Sequence, residues 1–299
     1  MNTISVTSLG GNPFDLSDSA AYSEWRSRKL ARLPCDAAAL TVTVENPMAL
    51  QQPERNRLLT LVDRHNMALY RLADPQRRDK RLVHQLGQSV GLRRLDTNLR
   101  ADEDSITSLE VRPQTGNQYI PYTSRRLSWH TDGYYNRPDR QVRGIIMHCV
   151  QPAAEGGENA LIDHELMYIR LRDANPAYIE ALMQPNAMTI PANIENGVEL
   201  RPAQSGPVYS VDPQSGRLHM RYSARTRNIE WADDADTRSA AAAILDFLQD
   251  DSITVRLTLG AGEGIICNNV LHKRSGFSDS GSQKRLMYRA RYHDRVAAV

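Results

Sequence analysis

The stretch RRLSWHTDGYYNRP, from Arg125 to Pro138, sets the architecture and the chemistry that we predict for this chain. It places His130 and Asp132 two positions apart, directly after Trp129. The pattern predicts a strand, and on a strand residues two positions apart point to the same face. We therefore expect the imidazole and the carboxylate to project together into one cavity.

A second histidine from elsewhere in the chain can complete a metal site with this pair. The segment EGIICNNVLHKRSGF offers His272, which follows an apolar strand and the turn-forming Asn268 and Asn269. Two histidines and one carboxylate with open coordination positions are typical of non-haem Fe(II) oxygenases. Because a lone His-x-Asp pair is more often a surface feature, this interpretation depends on the motifs that accompany it.

An arginine-bearing strand is predicted near the C-terminal end. In RLMYRARY, the arginines at 285, 289 and 291 alternate with other residues, which predicts that they share one face. Arginine is seldom buried without an anion, and its planar guanidinium matches a carboxylate at two points. The strand therefore predicts anionic ligands, with an exposed face paired to surface acids as the alternative.

Composition and charge argue against several classes of protein. The 299 residues carry a formal net charge of +2, too mild for a nucleic-acid binder with a clustered basic stripe. The three cysteines are widely separated, which disfavours a disulfide framework and favours a reducing compartment. The start of the chain lacks a secretory pattern, and no apolar run is long enough to span a membrane. We expect a cytoplasmic protein.

The pattern along the chain predicts one domain with an antiparallel β core wrapped by helices. ALTVTVEN and MALYRL have strand patterns, and short strands with turn residues dominate the middle and the end. Periodicity and capping residues predict helices at residues 21–30, 53–66, 75–91, 164–184 with a break at Pro176, and a helix capped by Asp236 or Thr237.

Taken in chain order, WHTD, GGEN, NNVLHKRSGF and RLMYRARY make this sequence similar to the taurine dioxygenase (TauD/TfdA-like) family of Fe(II)/2-oxoglutarate-dependent oxygenases. The resemblance covers about residues 35–295, after a lead and helix in residues 1–34, within a single domain 1–299. It implies a mainly β or α+β fold whose core is a double-stranded β-helix, or jelly roll, with flanking helices.

The resemblance also implies roles for particular residues. It assigns iron binding and catalysis to His130, Asp132 and His272. Arg285 falls where the family holds the distal carboxylate of 2-oxoglutarate, and Arg289 falls where taurine-type members bind the substrate's anionic group. The family's G-G-D-T loop is GGEN here, so Asn159 takes the position of a threonine that contacts 2-oxoglutarate. Tyr135 and Arg126 are predicted to contact the substrate.

These residues imply an enzyme that uses Fe(II), with 2-oxoglutarate and O2 as cosubstrates, and releases succinate and CO2. We expect hydroxylation of a small anionic or zwitterionic metabolite. Residues 195–206 are a candidate lid, because long connections in such folds often cover the site.

Three alternatives remain open from the sequence. One is a tailoring oxygenase for a larger, carrier-bound or betaine-like substrate, since tyrosines can hold a quaternary ammonium. Another is a non-catalytic β-helix protein that binds a metabolite, although a complete ligand set argues against it. Demethylation of nucleic acid or histones is disfavoured by the modest charge. A homo-oligomer is compatible with the sequence, which shows no interface.

Overall fold

The computed structural model describes residues 11–33, 36–97, 105–111, 120–225 and 229–298. Within these ranges the α-helices are α1 (Ser19–Leu30), α2 (Gln52–His65), α3 (Arg81–Ser89), α4 (His164–Ala174), α5 (Pro176–Leu182) and α6 (Ala235–Phe247). The strands are β1 (Thr41–Val44), β2 (Met67–Leu72), β3 (Thr107–Leu109), β4 (Leu127–His130), β5 (Gly144–Gln151), β6 (Glu155–Gly156), β7 (Asn159–Ile162), β8 (Met188–Ile190), β9 (Asn193–Glu195), β10 (Val198–Arg201), β11 (Gln204–Gly206), β12 (Tyr209–Val211), β13 (Leu218–Met220), β14 (Glu230–Trp231), β15 (Val255–Leu257), β16 (Glu263–Cys267), β17 (Leu271–Arg274), β18 (Phe277–Ser278) and β19 (Leu286–Tyr292).

A six-stranded sheet in the order β1-β2-β16-β5-β19-β3 forms one wall of the molecule. Its neighbours are antiparallel except β1 and β2, which pair in parallel and are joined through α2. Leu58 and Leu61 of α2 and Leu82 and Leu86 of α3 belong to the core that packs on this sheet. Strand β2 is buried at all but one position, which explains its nearly continuous apolar sequence.

A four-stranded antiparallel sheet in the order β15-β7-β17-β4 forms the opposite wall. Alternate residues of β7 enter different cores. Leu161 packs in the core of the six-stranded sheet, whereas Ala160 and Ile162 pack in the second core, formed with helices α1, α4, α5 and α6. The four-stranded sheet therefore has an inner face toward the other sheet and an outer face covered by helices.

The structure is thus a mixed α+β fold, and it corrects the sequence predictions at two helix starts. Helix α3 begins at Arg81 rather than near residue 75, because Pro75 packs against the turn at Gly262, where a Cβ would lie 2.6 Å from the Pro75 Cα. Helix α6 is capped by Asp234, whose carboxylate accepts a hydrogen bond from the Thr237 N–H at 2.7 Å, and not by Asp236 or Thr237.

Two further sequence predictions concern the boundary of the N-terminal lead and the absence of membrane-spanning segments. The boundary predicted between residues 34 and 35 lies outside the described residues. In the part of the chain that the structure describes, no helix combines the length and apolar character needed to cross a membrane.

Candidate active site

The two predicted histidine ligands face each other on neighbouring strands. His130 is the last residue of β4, and the register of β17 pairs it directly with His272. Their ring centroids are 4.2 Å apart. One ligand atom from each histidine and one from Asp132 all lie within 4.8 Å of one another. Folding therefore brings together three residues that are widely separated in the sequence.

Hydrogen bonds to the backbone orient both imidazoles. Nδ1 of His130 is 2.9 Å from the Ser128 carbonyl oxygen, and Nδ1 of His272 is 2.9 Å from that of Val270. Because a carbonyl oxygen only accepts, each Nδ1 carries the proton and each Nε2 keeps a free lone pair. Burial, together with the neighbouring His130, lowers the pKa of His272 to about 4. His272 is therefore neutral, the form that binds a metal.

Asp132 lies in a turn beyond the end of β4. The expectation that His130 and Asp132 both lie on one strand is therefore wrong. Thr131 points away, as expected, and its N–H donates to the Tyr222 carbonyl at 2.9 Å. The turn then returns the carboxylate toward His130, whose Nε2 is 3.6 Å from Oδ1 of Asp132. The ligand set is preserved although the strand ends early.

Asn269 holds this turn in place. Its side-chain oxygen accepts a hydrogen bond from the Asp132 N–H at 2.8 Å, and its amide donates to the Asp132 carbonyl at 2.9 Å. The same amide donates to the Val142 carbonyl at 2.6 Å. Asn269 adopts a left-handed φ of 52°, which asparagine tolerates better than most residues. One buried side chain thus fixes the backbone around a candidate ligand.

Arg289 is in contact with the candidate metal ligand. Its Nη1 is 3.1 Å from Oδ2 and 3.2 Å from Oδ1 of Asp132. Burial opposes ionisation of this carboxyl, but the charge of Arg289 holds the pKa of Asp132 well below its usual range. Asp132 is therefore a carboxylate. The Nε of Arg289 is buried without a hydrogen-bond partner among the described residues, so this donor is available for a ligand.

The donor set fits Fe(II). Oδ2 of Asp132 is buried and accepts no aligned hydrogen bond from any described residue. It converges with two imidazoles whose Nε2 atoms are free. Two histidines and one carboxylate on one side of an ion leave the other coordination positions open, as iron oxygenases require.

Two buried arginines flank the ring of Phe277. The guanidinium carbons of Arg285 and Arg274 lie 5.1 and 4.7 Å from the ring centroid. Arg274 donates to backbone carbonyls in the segment before β4. Among the described residues, none accepts a hydrogen bond from the Arg285 guanidinium, since Asp279 bonds its backbone N–H instead. Burial lowers the pKa of Arg285, and burial with the charge of Arg285 lowers that of Arg274 to about 9. The pair can receive an anion.

The GGEN loop lies against these arginines. A Cβ on Gly157 would stand 3.7 Å from the Nε of Arg285. Asn159 is buried on β7 and pairs with Arg274 in the register of β17, so their side chains share the inner face of the sheet. The structure therefore places Asn159 beside Arg274, and Gly157 of the same loop beside Arg285.

The two other predicted substrate residues lie in different places. The Tyr135 hydroxyl accepts a hydrogen bond from Nη1 of Arg291 at 2.8 Å, and Arg291 also pairs with Asp96 at 2.5 Å. Arg126 is exposed and lines a separate cavity of about 400 Å³ together with Trp129, which packs on the outer face of the sheet. The structure does not bring Arg126 to the histidines.

Sequence reasoning did not assign Asn269 or Arg274 to the site, although both lie in NNVLHKRSGF. Strand parity could have found Arg274, because it lies two positions beyond His272 and shares its face. Asn269 was recognised only as a turn residue. Its hydrogen bonds to Asp132 depend on tertiary structure that spacing does not reveal.

Comparison with known proteins gives a consistent family. The profile described as "Taurine catabolism dioxygenase TauD, TfdA family" matches residues 26–291. A uridine-5'-phosphate dioxygenase from Streptomyces sp is 26% identical over 203 residues, which cover 64% of this chain and 71% of that relative.

Two solved structures have a similar fold. Asparagine oxygenase, in complex with Fe(II), 2S,3S-3-hydroxyasparagine and succinate, matches with a TM-score of 0.58 and 15% identity, over 96% of this chain and 86% of that chain. The non-haem iron oxygenase OrfP, in complex with Fe, succinate and (3S)-hydroxy-L-Arg, matches with a TM-score of 0.61 and 16% identity, over 94% and 90% of the two chains.

The family profile, together with the fold and the converging candidate ligands, defines a non-haem iron oxygenase that depends on 2-oxoglutarate. Because the family profile spans most of its length, this chain belongs to the TauD, TfdA family, and the resemblance seen in its motifs is confirmed. The protein is therefore a dioxygenase that uses Fe(II), with 2-oxoglutarate and O2 as cosubstrates.

Proposed function

We propose that this enzyme hydroxylates a small anionic or zwitterionic metabolite at an Fe(II) ion held by His130, Asp132 and His272. The convergence of these three side chains within 4.8 Å is the observation that carries the proposal. Bound iron supplies activation of O2 coupled to oxidative decarboxylation of 2-oxoglutarate. In this interpretation the two sheets are the walls of a double-stranded β-helix, and the ligands occupy its inner face.

The cosubstrate is bound at the opposite end of the inner face by Arg285. This guanidinium is buried, has no acceptor among the described residues, and stacks on Phe277. A carboxylate would satisfy it at two points. Asn159 adds an amide donor, and Arg274 supplies a second positive charge.

The substrate lies on the side of Arg289. This residue keeps Asp132 ionised, and its Nε, which has no hydrogen-bond partner among the described residues, can donate to an anionic or polar substrate group. Tyr135 is held by Arg291 in the same region. The names of the related proteins support an anionic substrate, because uridine 5'-phosphate, asparagine and arginine each carry a phosphate or a carboxylate.

An anaerobic titration tests this proposal. Fe(II) and then 2-oxoglutarate are added to the metal-free protein, and the visible metal-to-ligand charge-transfer band is recorded. We expect the band in the natural protein, its loss in His272→Ala, and its retention in the control His84→Ala, on helix α3 away from the ligands. A band that persists in His272→Ala, or no band in folded natural protein, would contradict the proposal.

A further inference from the structure

A second cavity lies on the outer face of the four-stranded sheet, behind the strands that carry the candidate histidine ligands. Its volume is about 400 Å³, which is in the range of small-molecule sites. Trp129 and Lys273 line it, and in the sequence they adjoin His130 and His272. Side chains alternate between the two faces of a strand, so these two residues face outward where the histidines face inward.

The strand register supports this separation of the two faces. Lys273 pairs with Ala160, which packs in the second core, beneath the helices. His272 pairs with Leu161, which packs in the core of the six-stranded sheet. Trp129 also belongs to the second core. The outer cavity is therefore distinct from the candidate iron site.

Part of the lining of the outer cavity is apolar. Trp129 and Ala160 contribute to it from the sheet, and Leu245 and Leu248 contribute from the C-terminal end of helix α6. Leu245 is 44% exposed, one of the few large apolar side chains that the described residues leave at the surface. The apolar part of a bound molecule would remove this surface from water, which is favourable.

The lining also carries positive charge in excess. The Nζ of Lys273 lies 4.7 Å from the centroid of the Trp129 ring, and Arg126 is exposed. Among the described residues, neither cation forms an ion pair. Glu158, the acid of the lining, is already paired with Arg256 at 2.9 Å. An anion that enters the cavity would therefore meet two cations that have no acid to release.

Lys273 is suited to receive such an anion. The face of an indole ring attracts an ammonium, but a charge-assisted hydrogen bond to an anion is stronger. A lysine has a flexible stem of four carbons, so its ammonium can turn toward a ligand while the stem still covers the Trp129 ring.

We propose that the outer cavity binds a small amphipathic anion, a molecule with one carboxylate or sulfonate group on an apolar body. A small polar anion would leave the leucines in water, and an uncharged apolar molecule would leave both cations unpaired. A nucleic acid would need a longer basic track than these two cations provide. The inference does not depend on the proposed function, because the cavity and the iron site lie on opposite faces of the sheet.

Calorimetric titration of the full chain with naphthalene-2-sulfonate tests the proposal, because this probe joins a flat apolar body to one permanent negative charge. Fe(II) and excess 2-oxoglutarate are present without oxygen, so that Arg285 has an anion of its own. We expect saturable binding of one equivalent. Naphthalen-2-ylmethylammonium, which reverses the charge, and methanesulfonate, which lacks the apolar body, should each bind at least about tenfold more weakly.

Variants of the lining locate the binding. Lys273→Gln and Arg126→Gln should each weaken it by about threefold to tenfold, since each removes a cation that water partly screens. Leu245→Glu should weaken it by more than about tenfold, because it replaces an apolar contact with a like charge. Two controls should bind like the natural protein: Arg125→Gln, an exposed cation beside Arg126 but outside the lining, and Ser239→Glu, an exposed position of α6 away from the cavity.

Four outcomes would overturn the inference. They are an unchanged affinity in both Lys273→Gln and Arg126→Gln, an ammonium probe that binds as tightly as the sulfonate, displacement of the sulfonate by 2-oxoglutarate, and no saturable binding. The last result is expected if another part of the chain or a partner protein covers the cavity. Absence of the charge-transfer band in the natural protein would contradict the proposed function and would leave the result of this titration unaffected.

Discussion

Two regions of this molecule hold buried charges that are partnered in different ways. In the first, which we call the balanced cluster, each charged group contacts one of opposite sign; the oxygenase site is the unbalanced region. Beneath helix α4, the Nζ of Lys29 lies 2.6 Å from Oδ2 of Asp163, 2.5 Å from Oε2 of Glu165 and 2.8 Å from the Arg64 carbonyl. Asn66 donates a further hydrogen bond to Asp163 at 2.9 Å. Every charge in this cluster has its partner inside the protein.

The oxygenase site is different. Arg285 is buried and has no acceptor among the described residues, and the Nε of the buried Arg289 has no hydrogen-bond partner among them. Burying a charge without a partner is costly, so such groups persist where a ligand completes them. The comparison separates two roles of buried charged side chains. Charges that are paired inside the protein stabilise the fold, and charges that lack a partner there bind ligands.

Removing the cation from the balanced cluster should have the largest effect. Lys29→Met leaves two buried carboxylates without their cation, so we expect the free energy of unfolding to fall by about 3–5 kcal/mol. Urea unfolding measures it. The control Arg28→Met removes the neighbouring residue, whose pair with Glu24 at 3.5 Å is exposed, and should change the value by less than about 1 kcal/mol. Equal effects of the two variants would contradict the idea that the buried ion pairs of Lys29 stabilise the fold more than the exposed pair of Arg28 does.

The balanced cluster should also make the free energy of unfolding depend on pH in the acid range. Although burial opposes ionisation, Lys29 lowers the pKa of Glu165 to about 2. A carboxyl whose pKa is lower in the folded state stabilises the fold above its unfolded pKa of about 4.3, and this contribution is lost as the pH falls toward 2. We expect a loss on the order of 3 kcal/mol across that range, measured by urea unfolding. Glu165→Gln should flatten this dependence; an unchanged slope would argue against it.

In the unbalanced region the effect should appear in binding instead of stability. Arg285→Gln removes a buried charge, so we expect an unfolding free energy that is unchanged or higher. The apparent affinity for 2-oxoglutarate should fall by about tenfold to a hundredfold, because charge-assisted hydrogen bonds are lost. The matched variant Arg289→Gln should spare 2-oxoglutarate binding and weaken the stimulation of succinate release by substrate. The reverse result would exchange the two roles.

The smallest effect is expected for a balanced cluster at the surface. Arg256 pairs with Glu158 at 2.9 Å and Asp251 at 2.6 Å, and all three side chains are exposed. Because water screens these charges, Arg256→Ala should change the free energy of unfolding by less than about 1 kcal/mol. A change of the size expected for Lys29→Met would show that pairing, and not burial, determines how much a charge contributes to the free energy of unfolding.

Much of this organisation could be predicted from local sequence. Strand β2 occupies the residues MALYRL, because its pattern is continuous and apolar. The helices around Pro176 also match, since proline ends one helix and suits the first turn of the next. The predicted start of α3 failed because it depends on a contact between distant segments, Pro75 packing on Gly262. The predicted cap of α6 failed locally, because several carboxylates and hydroxyls lie next to one another and Asp234 is the one that caps.

In the candidate site, too, the sequence predicts some features and misses those that depend on tertiary structure. Residue type and spacing identified His130, Asp132 and His272, and the structure brings them together. Sequence spacing could not predict that Arg289 contacts Asp132. Which carboxylate lies nearest to a given arginine depends on how the two sheets face each other.

The pairing of β4 with β17 has a consequence for how the protein is made. During synthesis His130 and Asp132 leave the ribosome long before His272, which must then pair with a strand at the edge of the sheet. Contacts between such distant segments form late in folding. A nascent or half-folded chain therefore holds only part of the candidate ligand set, and the capacity to bind iron is acquired together with the pairing of β4 and β17.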